Sequence, residues 1–249
     1  VMARVLIALA GFLLAALAAS VVSAQGQPTP PEQPILRIEP GMHTAPIRGI
    51  GIDAACNLIA TGSDDKTVRL WRFVRDHTAL ELVRTLRVPI GPGNDGKVQA
   101  VGLSPDGRLV AIGFWAMSGG DNRLHVYDLV SGHLVFRSDI IYGGFGQLAF
   151  SRDGSRLVAG LLGDGKGVRV WNTKSWALIG SDTDYNGKDA YGVAFDAAGR
   201  LFTGSYDGHL RRYELGPDGT YKLTGKVLTV AGATPFRIAI HPSGDRVAV

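Results

Sequence analysis

The segment Thr61-Gly62-Ser63-Asp64-Asp65-Lys66-Thr67-Val68-Arg69-Leu70-Trp71 constrains this chain most. It reads as a strand, a polar turn, and a second strand that ends in a large aromatic. Weaker copies recur at a spacing of roughly 45 residues. A chain that repeats at this period is built of similar units, each too small to bury its apolar face alone, so neighbours must cover it.

The register follows an apolar residue that stands before a turn in each unit: Ile52, Leu103, Phe150, Phe195 and Ile240. The turns are Asp53-Ala54-Ala55-Cys56, Ser104-Pro105-Asp106-Gly107, Ser151-Arg152-Asp153-Gly154, Asp196-Ala197-Ala198-Gly199 and His241-Pro242-Ser243-Gly244. All but the first end in Gly, which supplies the positive φ of a tight hairpin. A short strand follows each turn, opening at Leu58, Leu109, Leu157, Leu201 and Val247. A further strand is expected at Thr67 to Trp71, Arg123 to Tyr127, Gly167 to Trp171 and His209 to Tyr213. The strand before each turn alternates large apolar residues with Gly or Ala, a period-two pattern. The small residues suit a crowded inner side, and the large ones are expected to pack between units.

This pattern predicts an all-β chain, a β-propeller of four-stranded antiparallel blades. About four and a half blades are present, because Val247-Ala248-Val249 falls in the second strand of the fifth. The expectation is therefore a truncated or open fragment, since a propeller closes its ring to protect strand edges.

The residues resemble the WD-repeat family over about residues 41–249. His43-Thr44-Ala45-Pro46-Ile47 is similar to the family's opening segment, and Gly62 to Trp71 to its most characteristic run. The resemblance implies a hydrogen-bonded set of His, strand hydroxyl, turn Asp and Trp in each blade. His43, Asp65 and Trp71 fill it in repeat one, with Gly49 at the expected hydroxyl position, so that set reads as incomplete. Repeat two offers Asp121 and Tyr127. Repeat three offers Trp171, with Gly165 where the Asp belongs. Repeat four offers Asp207 and Tyr213. No His aligns with His43 in repeats two to four.

The ends are of different composition. Arg4 precedes an apolar run from Val5 to Ala19, and Val22-Ser23-Ala24 offers small residues before Gln25. Residues 1–24 therefore read as a secretory signal peptide, with retention as an anchor the other reading. Residues 25–34 are Pro- and Gln-rich and read as a linker, with the propeller over 35–249. Export to the periplasm or outside the cell follows from the signal reading. The formal charge is +4, or +3 without Arg4. The basic residues are scattered, which argues against a nucleic-acid partner. The single cysteine leaves no disulfide within this chain.

No chemistry-bearing constellation is legible. Cys56 sits in a turn without a protease signature. His125, His133, His209 and His241 lack metal-ligand spacing. The pair Asp64-Asp65 is read as a turn in which Asp65 bonds the backbone and Asp64 is solvated. Gly163 to Gly167 lacks the ending of a phosphate loop. No catalytic residue, metal or cofactor is expected.

The loops lengthened by Phe114 to Gly120 and by Leu161 to Lys166 lie where partners dock in this fold. Trp115 and Met117, with Arg48, Gln99, Tyr191 and Phe236, form the candidate partner-binding face. For Trp115, packing on the neighbouring blade is the other reading. The functional expectation is a rigid protein- or peptide-binding scaffold. Two further readings stand beside it. One is an accessory propeller of a larger enzyme, such as a caspase-like peptidase. The other is a propeller similar to the periplasmic translocation protein TolB.

Overall fold

The computed structural model describes residues 40–74, 76, 78–115, 122–163, 167–228, 236–241, 243–244 and 246–248. The expected signal segment and linker, Met117 and Asp121 lie outside the described residues. Four sheets of four strands follow one another, each antiparallel and each in chain order from the inside outwards. The first blade holds β1 (Ile47–Ile52), β2 (Leu58–Ser63), β3 (Thr67–Val74) and β4 (Ala79–Arg87). The second holds β5 (Val98–Leu103), β6 (Leu109–Phe114), β7 (His125–Asp128) and β8 (Leu134–Arg137). The third holds β9 (Phe145–Phe150), β10 (Arg156–Leu161), β11 (Val168–Asn172) and β12 (Leu178–Asp182). The fourth holds β13 (Ala190–Phe195), β14 (Leu201–Ser205), β15 (His209–Leu215) and β16 (Tyr221–Leu228). A two-stranded sheet, β17 (Ala239–Ile240) with β18 (Val247–Ala248), starts a fifth. No helix occurs among the described residues. The expected third strand of blade 2 begins later than the sequence suggested, at His125, with Arg123 and Leu124 outside it.

Each anchor residue ends its inner strand, and the turn after it closes the same way every time. The amides of Cys56, Gly107, Gly154, Gly199 and Gly244 donate to the carbonyls of Asp53, Ser104, Ser151, Asp196 and His241. All five have positive φ, with Cys56 at 56°. A cysteine thus occupies the left-handed position that glycine holds in the other four blades, at a cost of about 1 kcal/mol.

Glycine at two inner-strand positions lets blades approach. A Cβ on Gly49 would stand 2.7 Å from the Val101 amide nitrogen, and one on Gly51 equally close to that of Leu103. No side chain fits there without moving backbone. The core consequently lies between blades, in three layers. Ala60, Val68 and Leu70 of blade 1 meet Val101, Leu103 and Val110 of blade 2. Leu124 and Val126 meet Phe145, Leu148 and Trp171. Val158, Val168 and Val170 meet Val193, Leu201 and Tyr213. Fully burying such a side chain contributes about 1.5–3 kcal/mol.

One expectation about packing needs correction. Ile50 and Ile52, the register equivalents of Val101 and Leu103, are 67% and 48% exposed. Ile47 is exposed as well. They face the side of blade 1 on which no other blade stands among the described residues. The blades do not close into a ring among those residues.

Candidate partner-binding face

A rigid frame holds the loops. In blade 1, Trp71 donates its indole N–H to Thr61 Oγ1 at 2.7 Å. Thr61 Oγ1 lies 2.8 Å from His43 Nε2, and His43 Nδ1 lies 2.8 Å from Asp65 Oδ2. A carboxylate only accepts, so Nδ1 carries the proton toward Asp65 and the Thr61 hydroxyl donates to Nε2. Asp65 also accepts from the Thr44 and Thr67 amides at 3.0 Å and from the Thr67 hydroxyl at 2.6 Å. Burial opposes its ionisation, yet the hydrogen bonds from Thr67, His43 and Thr44 outweigh it and hold the carboxyl below its usual pKa. The hydroxyl is therefore supplied by Thr61 on β2, and not lost at Gly49. Antiparallel pairing sets Thr61 opposite Arg69, with its hydroxyl in reach of both ring systems, while Gly49 abuts blade 2. The set is complete.

The other blades depart from this frame. Ladder register places Ile112 and Ala159 at the Thr61 position of blades 2 and 3. There Tyr127 and Trp171 act by packing, in the blade 1–2 and blade 2–3 layers. Blade 4 rebuilds the network with other groups. Thr203 is its register equivalent of Thr61. The buried Tyr185 hydroxyl lies 2.8 Å from both Thr203 Oγ1 and Tyr213 Oη, and Tyr213 donates to Asp182 Oδ2 at 2.7 Å. With Asp182 as terminal acceptor, the protons run Thr203 to Tyr185 to Tyr213 to Asp182. Burial pushes the pKa of both tyrosines up. Arg211, fully buried, places its guanidinium 4.0 Å over the Tyr185 ring and binds Asp207 at 2.5 Å. Ser205 also donates to Asp207. Burial works against the Asp207 charge, but Arg211 and Ser205 hold its pKa well below the carboxylate range. Nothing in the sequence singled out Tyr185 or Arg211.

At one end of the blades, the residue after each second strand returns a hydrogen bond to the segment before the first. Asp64, Trp115, Leu162 and Tyr206 donate from their amides to Pro46, Lys97, Gly144 and Asp189. This repeated bond puts Asp64, Trp115, Leu162 and Tyr206 on the same rim as Arg48, Gln99 and Tyr191. Trp115 is 37% exposed there. Tyr191 stacks on Phe236 at 4.2 Å and on Tyr206 at 5.1 Å. Phe236 is 48% exposed. Tyr206 was missed in the sequence, although its place in the turn matches that of Trp115. Burial, together with Tyr191 beside it, raises the Tyr206 pKa.

Two sequence readings need correction, one of a face residue and one of a turn residue. Gln99 is only 6% exposed, and its side-chain oxygen has no hydrogen-bond partner among the described residues. Asp64 is not solvated: it is largely buried and accepts from Arg48 Nη2 at 2.8 Å and Nε at 3.1 Å. Cys56 is exposed at the opposite end. Among the described residues, no group of His, Cys, Asp or Glu is placed to hold a metal ion.

The sequence profile of the WD domain, G-beta repeat, matches residues 38–72, 81–128 and 132–172. Transducin beta-like protein 3 of Rattus norvegicus is 29% identical over 145 residues, 58% of this chain and 16% of that protein. The guanine nucleotide-binding protein subunit beta of Arabidopsis thaliana is 28% identical over 184 residues, 70% of this chain and 45% of that protein. WD repeat-containing protein VIP3 of Arabidopsis thaliana is 31% identical over 165 residues, 61% and 46% of the two chains. The chain spans less than half the length of each of these relatives. With three repeats matched, relatives of the same kind, and a complete His43–Thr61–Asp65–Trp71 set, this chain belongs to the WD40 repeat family.

Proposed function

We propose that this chain is an exported, non-catalytic scaffold that captures a protein or peptide on the rim carrying Trp115, Tyr191, Tyr206 and Phe236. The observation that carries this reading is the aromatic stack of Tyr191, Tyr206 and Phe236, contributed by blades 4 and 5, in which Tyr206 and Phe236 are exposed and Tyr191 is half-buried. Aromatic side chains exposed at the end of a rigid frame supply large contact area at low entropic cost. The relatives named as a G-protein subunit beta point the same way, since a subunit works within an assembly. Export rests on the signal-like residues 1–24 alone.

Two experiments test the reading. Immobilised chain, compared with Tyr191→Ala and Trp115→Ala variants, is used to capture proteins from an extract of the source organism's exported fraction. A partner retained by the parent chain and lost from the variants, at unchanged melting temperature, supports it. Equal capture by all three moves binding elsewhere. For export, mass spectrometry of the secreted chain should read Gln25 as the first residue; a start at Val1 or Met2 removes the cleaved-signal reading.

A further inference from the structure

The rim's central opening carries an arginine without a carboxylate. Arg237, from the segment leading into β17, reaches across the opening to the other blades. Its Nη1 donates to the Gly146 carbonyl at 3.2 Å and its Nη2 to the Arg48 carbonyl at 3.4 Å. Both bonds are long, and both acceptors are neutral. Arg237 and Arg48, with Ile50, Ala100, Gln147 and Leu148, frame a cavity of about 250 Å³ without an Asp or Glu in its lining. The charge of Arg48 is already met by Asp64 at 2.8 Å. Tyr191 of blade 4 interacts electrostatically with both arginines, so residues of all five blades meet at this mouth. More than a third of Arg237 stays open to solvent, while desolvation by the surrounding strands lowers its pKa. Phe236, next in the chain and stacked on Tyr191, forms the apolar edge of the same opening.

We propose that this mouth takes the carboxylate of an Asp or Glu in a peptide segment, with an adjacent apolar or aromatic side chain seated on Tyr191 and Phe236. This deepens the scaffold reading above and rests on it. One uncompensated guanidinium matches a singly charged carboxylate, whereas a phosphate group near two negative charges would leave one unmet.

A random peptide library displayed on phage, selected on the full chain, provides the probe. Selected peptides should carry an acidic residue beside an apolar or aromatic one. Resynthesised with a fluorescent label, they should lose about tenfold or more in affinity when the acid becomes its amide, as expected for a charge-assisted hydrogen bond. Arg237→Gln should produce a similar loss, and the two changes together should cost little more than either. Arg237→Lys should restore part of the binding, and the melting temperatures of both variants should match the parent.

Selected peptides without acidic residues, released by Tyr191→Ala, would overturn the carboxylate assignment and leave the scaffold reading standing. Unchanged binding to Arg237→Gln, or tighter binding when phosphoserine replaces the acid, would overturn it in the same way. Selection of no peptide that depends on this rim would overturn both.

Discussion

The Trp71 indole and the Thr61 hydroxyl meet at 2.7 Å, and Thr61 also faces His43 at 2.8 Å, so one small side chain joins two rings from different segments of blade 1. Thr61 is buried, and removing its oxygen leaves a donor and an acceptor without a partner.

Thr61→Val should therefore destabilise the chain by about 1–3 kcal/mol, the cost of unsatisfied buried polar groups. Thr61→Ser should recover most of it. Urea denaturation followed by Trp fluorescence measures both. A Thr61→Val midpoint equal to the parent's would show that the set adds no stability.

The Arg211–Asp207 pair in blade 4 is buried on both sides. Breaking a buried pair strands the remaining charge, at about 3–5 kcal/mol. Arg211→Met should thus be among the most damaging substitutions in the chain, well beyond Arg212→Met, whose side chain is exposed. Thermal melts of the two variants settle the comparison; equal losses would refute it.

His125 lies in blade 2 against Phe114 and Tyr127, with Nδ1 unpartnered among the described residues. Burial, with Arg137 and Arg123 nearby, lowers its pKa from 6.5 to about 4. The folded state favours the neutral ring, so the unfolded chain takes up the proton first. Its contribution is intact above pH 6.5 and is lost progressively as pH falls toward about 4. Stability of the parent relative to His125→Gln should decline over that window. A constant difference would mean that the ring does not titrate with unfolding.

Cys56 holds φ at 56° where its four counterparts are glycine. Cys56→Gly should stabilise the first turn by up to about 1 kcal/mol, because the left-handed strain disappears. Glycine's greater freedom in the unfolded chain offsets part of that gain. Denaturant titration reads the difference, and a destabilised variant would show that the cysteine side chain makes a contact worth more than the strain.

The sequence alone determined the repeat, the anchors and the turns. Ile52, Leu103, Phe150, Phe195 and Ile240 each end an inner strand, because the turn residues after them dictate backbone locally and strand alternation has a fixed period. Family membership was legible for the same reason, in one unbroken run from Gly62 to Trp71. What the sequence could not decide is which residues meet through space. Cross-strand pairing gives the hydroxyl to Thr61 and leaves Gly49 against the next blade. Arg211 and Tyr185 lie far apart in sequence, yet folding stacks one on the other and substitutes them for a His-centred brace. Register alone predicts burial for Ile50 and exposure for Gln99, and the packed structure reverses both. Likewise Arg237 becomes a site candidate only because residues of all five blades meet around it. Local chemistry writes turns and strands, whereas partners, burial and charge balance depend on neighbours that only the packed blades bring together.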